Sequence, residues 1–340
     1  MASTELHETA RAIVADHRGI LAADESTGTI KKRFDSIGVE STEERRRFYR
    51  QLLFTAPGME DAIGGVILYD ETIRQHADDG TPFPELLAAK GSIPGIKVDT
   101  GAHDLAGFPG EKVTEGLDGL RPRLEEYATL GARFAKWRAV ITIGEGIPTD
   151  ACLRANAHAL ARYASLCQEA GIVPIVEPEV LMDADNTLET CWEVTTRTLH
   201  ETFDALYELG IDLQGTLLKP NMVISGKGCP EQASSERIAE ATVDCFLGVV
   251  PAAVPGIVFL SGGQSEVEAT ENLNAINKLG GPWPLSFSYG RALQGSALAA
   301  WGGDAANAET AQAAFAHRAR MNALAAAGEW SAGLEQPVPA

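Results

Sequence analysis

Eight short apolar runs recur along the chain at spacings of about 30 to 45 residues. They are Ile20–Ala23, Ile63–Tyr69, Gly95–Asp99, Ala132–Arg138, Ile172–Glu177, Gly215–Met222, Ile257–Gly263 and Leu285–Arg291. Between them lie stretches of helical periodicity. The clearest, residues 150–170, carries Leu153, Ala157, Leu160, Ala164 and Cys167 in steps of four and three, with Gly171 where a C-terminal cap belongs. Further helices are predicted over 3–17, 118–130, 187–208, 234–248 and 292–325. Another runs from a capping box at Ser41-Thr42-Glu43-Glu44 to about Leu53. Strands alternating with crossover helices form a parallel sheet, and eight such units favour a closed α/β barrel, the (β/α)8 TIM fold. An open doubly wound sheet is the alternative, but neither GxGxxG nor GxxxxGK[ST] occurs to support a nucleotide site. No linker rich in Gly, Ser or Pro divides the chain, so one domain over 1–340 is expected: barrel from about 8 to 328, loose tail from about 329.

What makes the runs informative is how they end. Lysine is seldom buried, yet three of the chain's nine lysines, Lys97, Lys136 and Lys219, stand at apparent strand ends. Asp24, Glu177, Ser261 and Ser288 occupy the same place on other strands. In a barrel these ends converge on one mouth. Alternation adds same-side neighbours at spacing two: Ser26 with Asp24, Arg138 with Lys136, Glu179 with Glu177. A single strand-end lysine is ordinarily a side chain whose stem lies on apolar surface while its ammonium reaches water. Seven polar groups at one end of successive strands are not independent accidents. A lysine beside other cations can lose its proton and act as a nucleophilic amine, and carboxylates nearby can move protons. That inventory suits imine chemistry on a carbonyl compound. Ser261-Gly262-Gly263 and Gly290-Arg291 offer backbone N–H groups and a guanidinium at the seventh and eighth strand ends, where barrels bind phosphate.

Composition narrows the partners. A net charge of −19 argues against nucleic acid and anionic membranes. No window approaches the roughly 18 apolar residues of a membrane span, and the start lacks a signal-peptide pattern, so a cytoplasmic protein is expected. Five cysteines without CxxC spacing read as reduced structural thiols, and seven scattered histidines give no metal motif. The residues thus point to a phosphorylated carbonyl substrate, a lysine imine, and no metal or other cofactor.

Six stretches then resemble the motifs of class I fructose-1,6-bisphosphate aldolases. They are Ile20–Gly28 (ILAADESTG), Phe134–Arg138 (FAKWR), Ile172–Glu179 (IVPIVEPE), Gly215–Met222 (GTLLKPNM), Phe259–Ser265 (FLSGGQS) and Phe287–Gln294 (FSYGRALQ). The similarity runs from about residue 8 to about 328. It implies reversible cleavage of fructose 1,6-bisphosphate to dihydroxyacetone phosphate and glyceraldehyde 3-phosphate, in glycolysis and gluconeogenesis, by a cytoplasmic homotetramer. By the same resemblance Lys219 forms the imine, Glu177 is the acid/base with Glu179 beside the amine, Asp24 takes the substrate hydroxyl proton and Lys136 holds that hydroxyl. Ser261, Gly262, Ser288, Gly290 and Arg291 match the site for the phosphate nearest the ketone. Ser26, Thr29, Lys97 and Arg138 match the region of the other phosphate, with Lys32 and Arg33 close by. A related aldolase preferring sedoheptulose 1,7-bisphosphate, or a non-catalytic scaffold, are the alternatives. One departure is that many family members end in a longer tail with a terminal tyrosine, whereas the last tyrosine here is Tyr289.

Overall fold

The computed structural model describes residues 2–335. Eight parallel strands close into a barrel: β1 Gly19–Ala23, β2 Ile63–Leu68, β3 Ile93–Lys97, β4 Phe134–Ile141, β5 Val173–Val180, β6 Leu217–Leu218, β7 Ile257–Phe259 and β8 Leu285–Tyr289. Each pairs with the next in the chain, and β8 returns to β1 through Ile20 opposite Ser288. No open edge remains in the barrel, so the doubly wound alternative falls.

The strand pleat sorts side chains into two cores. Outward residues such as Leu21, Ala135, Trp137, Val176, Phe259 and Phe287 join the surrounding helices in one large cluster. Inward residues Ile20, Ala22, Ile67, Phe134, Val173, Ile175, Leu217 and Val258 form a second. Helix Ala2–Ile13 closes the lower end of this inner core with Leu6, Ala10 and Ile13. Climbing each strand by two positions leads from these apolar groups to charge: Phe134 to Lys136, Ile175 to Glu177, Leu217 to Lys219, Ala22 to Asp24. The barrel is dry below and ionic above.

Phe134 is the largest inward side chain at its level, and two glycines make room for it. A methyl group at Gly95 would stand 2.3 Å from the Phe134 ring, and one at Gly65 would stand 3.0 Å from it. Both glycines lie in ordinary strand conformation, so space rather than backbone freedom selects them.

Several expectations need correction. The capping residue of helix Glu43–Phe54 is Thr42, whose hydroxyl accepts from Arg45 N–H; the helix starts one residue later than a Ser41 cap requires. The Ala-rich stretch 292–325 is two helices, Arg291–Trp301 and Ala308–Ala326, because Gly302 and Gly303 take positive φ (56° and 84°) and turn the chain. Helix Glu266–Leu279 was not foreseen although Ser265 and Glu268 form a full capping box. An antiparallel hairpin, Gly101–Asp104 with Lys112–Glu115, follows β3. Within the tail expected to be loose, Trp330 is buried, its backbone N–H donates to Asn274, and Glu335 is ion-paired with Arg318; residues 336–340 lie outside the described chain. All five cysteines are free and buried, with burial pushing the Cys152 thiol up to about 11, as suits structural thiols.

Gly95→Ala should destabilise the fold by about 1–3 kcal/mol through overpacking. In a double-mutant cycle Phe134→Leu should recover roughly 1 kcal/mol of that loss, because the two positions share one volume. Urea unfolding of the four chains measures the coupling, and strict additivity would refute the shared-volume account.

Candidate active site

Four side chains at the barrel mouth form one line of alternating charge. Asp24 Oδ2 lies 2.7 Å from Lys136 Nζ, Glu177 Oε2 lies 3.2 Å from the same Nζ, and Glu177 Oε1 lies 3.1 Å from Lys219 Nζ. Lys136, Glu177 and Lys219 are 4%, 3% and 4% exposed. Charges this deep are tolerable only when paired. Burial alone would raise the pKa of Asp24 and Glu177, but Lys136 and Lys219 outweigh it, so both carboxyls sit below the ordinary carboxylate range. Burial disfavours the Lys136 ammonium, yet Asp24 and Glu177 hold its pKa well above that of a free lysine.

Local chemistry explains how Lys219 reaches this line. Strand β6 is only two residues long, but the ladder is prolonged by Lys219 N–H donating to Val176 O at 2.8 Å. Pro220 supplies no N–H; its carbonyl accepts from Leu260 at 3.0 Å. The Asn221 side chain then substitutes for backbone, accepting from Val180 N–H at 2.9 Å and donating to Thr195 at 3.0 Å. The amine is therefore aimed by a backbone anchored on both sides.

A cavity of ≈ 450 Å³ opens over the line. Its two cationic poles stand on opposite sides of the barrel. At β3–β4, Lys97 pairs with Asp99 at 2.7 Å and Arg138 pairs with Glu179. At β7–β8, Ser261, Gly262, Ser288, Gly290 and Arg291 face the cavity. Gly262 and Gly263 both take positive φ (56° and 89°), in a turn of the kind whose successive N–H groups make anion nests. Gly290 caps helix Arg291–Trp301 without any side-chain cap bond, leaving that helix's first N–H groups open. Ser288 Oγ is buried and has no hydrogen-bond partner among the described residues.

Of the residues expected at the site, all line this cavity except Lys32, which is exposed on helix Thr27–Asp35 and points elsewhere. Ser26 caps that helix by accepting from Thr29 N–H at 3.3 Å. Arg33 stands on the β8 side rather than near β3–β4: a methyl at Gly290 would lie 3.7 Å from its guanidinium, and it pairs with Glu25 at 3.4 Å.

A family model described as "Fructose-bisphosphate aldolase class-I" matches residues 5–338. A probable fructose-bisphosphate aldolase class 1 of Xanthomonas campestris pv. campestris is 61% identical over 332 residues, which span 97% of this chain and 99% of that relative. Fructose-bisphosphate aldolase C of Carassius auratus is 54% identical, spanning 97% and 92% of the two chains. A solved fructose-bisphosphate aldolase of Plasmodium falciparum superposes with a TM-score of 0.96 at 49% identity, covering 98% of this chain and 96% of that one. The chain belongs to the class-I fructose-bisphosphate aldolase family. As a member it is an enzyme, an aldehyde-lyase.

The aldolase cavity also holds charged groups that sequence reasoning passed over. Asp99 is two residues beyond Lys97, so the spacing rule applied to the other strands would have found it. Glu25 is buried and binds Arg50 at 2.7 Å and Gln294 at 3.1 Å, partners far away in sequence. Lys227 comes from an irregular loop with no periodicity to flag it.

Because Asp24 and Glu177 titrate below their ordinary values, their pairing stabilises the fold above about pH 4 and is lost as pH falls through the native values. Lys136→Met strands Asp24, leaves Glu177 with Lys219 alone, and should cost about 3–5 kcal/mol at neutral pH. The cost should shrink at pH 5, where the stranded group takes up a proton. Urea unfolding at both pH values checks this, and a cost independent of pH would contradict it.

Proposed function

We propose that this enzyme reversibly cleaves fructose 1,6-bisphosphate through an imine on Lys219, and that the unbroken line from Asp24 to Lys219 is the observation carrying that reading. The Lys219 amine, after giving a proton to Glu177, attacks the ketone carbon. Glu177 returns the proton to the carbinolamine hydroxyl, which leaves as water and yields a protonated imine. Asp24, kept ionised by Lys136, takes the proton from the hydroxyl on the fourth carbon, while the Lys136 ammonium steadies that oxygen. The bond between the third and fourth carbons breaks, and its electron pair enters the imine to give an enamine. Glyceraldehyde 3-phosphate departs. Protonation of the enamine carbon and hydrolysis release dihydroxyacetone phosphate and restore the amine.

The positions of the poles support this assignment of ends. Lys219 on β6 is adjacent to β7, so the phosphate nearest the ketone falls at Ser261, Gly262, Ser288, Gly290 and Arg291. The far phosphate then falls toward Lys97 and Arg138 on the opposite wall. Glu179, two residues beyond Glu177, holds the Arg138 guanidinium there. Ser26, Thr29 and Arg33 close the cavity on the β1 side. Family membership also supports a cytoplasmic role in glycolysis and gluconeogenesis and a homotetramer, which light scattering tests. No described helix is long and apolar enough to cross a membrane.

Borohydride added with dihydroxyacetone phosphate should trap a covalent adduct on Lys219, and Lys219→Ala should abolish both the adduct and cleavage. Activity should survive a metal chelator. Glu177→Gln should lower kcat by roughly 10²–10⁴ with a smaller change in KM, since it removes proton transfer and not phosphate binding. An adduct on another residue, or cleavage retained by Lys219→Ala, would overturn the assignment.

A further inference from the structure

We infer that Lys227 is a second cation of the phosphate pocket at β7–β8, delivered by the loop after β6 and held ready there by Asp183. This rests on the reading of the cavity as a phosphorylated-ketose site, and adds to it a residue from a third strand's loop.

The loop that carries Lys227 is rigid. Gly226, Lys227 and Gly228 donate to the carbonyls of Asn186, Met182 and Ala184 at 2.9, 2.8 and 2.8 Å. Gly226 is pressed so close that a methyl there would stand 2.3 Å from Ala184 O. The side chain therefore leaves a fixed base, and it leaves toward the cavity. A methyl group placed on Gly263 would lie 2.6 Å from Lys227 Nζ and 2.9 Å from Arg291 Nη2. Two cations thus converge over the same glycine, in the nest that Gly262 and Gly263 form.

The charge balance at this pole calls for an anion. Among the described residues Arg291 makes no ion pair, so two like charges meet with one carboxylate between them. That carboxylate, Asp183, binds Lys227 at 2.7 Å, with the two side chains 65% and 45% exposed. An exposed pair of this kind contributes little to stability and is readily exchanged. A phosphate dianion in the nest offers the Lys227 ammonium a better partner, with Arg291, Ser261 and the open N–H groups already in place. Lys227 then turns a few ångströms from Asp183 to the ligand, at the cost of one weak contact. Phosphate affinity at the ketone end depends on this exchange, while the bond-breaking groups at Asp24, Lys136 and Glu177 are untouched.

The test is borohydride trapping of the full-length enzyme over a range of dihydroxyacetone phosphate, with phosphate-free dihydroxyacetone as control. In Lys227→Met the half-saturating concentration of dihydroxyacetone phosphate should rise roughly tenfold, the loss of one charge-assisted contact. Lys227→Arg should restore most of it. Trapping with dihydroxyacetone should proceed alike in wild type and Lys227→Met. Asp183→Asn, which releases Lys227, should lower the half-saturating concentration. The proposal fails if Lys227→Met stays within about twofold of wild type, a change too small for a charge-assisted bond. It fails equally if the variant needs more of both ketones, or if Asp183→Asn raises the concentration as Lys227→Met does, since the pair is then only a loop tether. A wild-type chain that gives no adduct with either ketone overturns the imine reading and this inference together.

Discussion

The alternating line of Asp24, Lys136, Glu177 and Lys219 is the constraint on which the rest of the molecule depends. Four polar side chains with little access to water are stable only as neighbours, and each interior member of the line serves two partners. Asp24 follows β1 and Lys219 follows β6, while Lys136 and Glu177 lie within β4 and β5, which run on past them, so a closed barrel is what brings each group within 3.2 Å of the next. The same closeness that makes the line affordable makes it reactive. Glu177 touches both lysines, and in the proposed mechanism that contact lets one carboxylate accept a proton from the attacking amine and later return it. Lys136 keeps Asp24 ionised in surroundings that would otherwise protonate it.

Below the line the barrel is filled by Phe134, Ile175, Leu217 and their neighbours. Above it the cavity divides its cations by how they are balanced. Lys97 and Arg138 are each matched by a carboxylate, Asp99 and Glu179, whereas Arg291 is matched by none among the described residues. On the proposed reading, a site balanced this way holds the phosphate at the Arg291 pole more firmly than the one at the other pole. On that reading the firmer end lies beside Lys219, where the imine would form. An overall charge of −19 does not prevent anion binding, because these local groups set the field inside the mouth.

The departures from sequence reasoning are of two kinds. Helix Glu266–Leu279 and Asp99 obey the same local rules as the features that were found, and were legible in Ser265-x-x-Glu268 and in the spacing of two beyond Lys97. Ser41 lost its place as a cap because adjacent hydroxyl residues compete for that position and only the start of the helix decides between them. Lys32, Arg33, Glu25 and Lys227 were beyond local rules altogether. Neighbouring basic residues on one helix point different ways, and only the packing of that helix, through Phe34 on Tyr49 and Trp301, separates Arg33 at the cavity from Lys32 in solvent.

The sequence by itself determined the number and order of the strands, the face each inward residue takes, and the chemical types gathered at their C-terminal ends. It could do so because apolar periodicity and the pleat are properties of contiguous residues. Six motifs were enough to assign the family. Which carboxylate touches which ammonium was decided only in three dimensions, since Asp24, Lys136, Glu177 and Lys219 are separated by dozens of residues and meet through barrel closure. The same holds for the convergence of Lys227 and Arg291 over Gly263, and for the docking of Trp330 and Glu335 onto the body of the protein. Pairing energies depend on separations of a few ångströms, and no spacing along the chain encodes them.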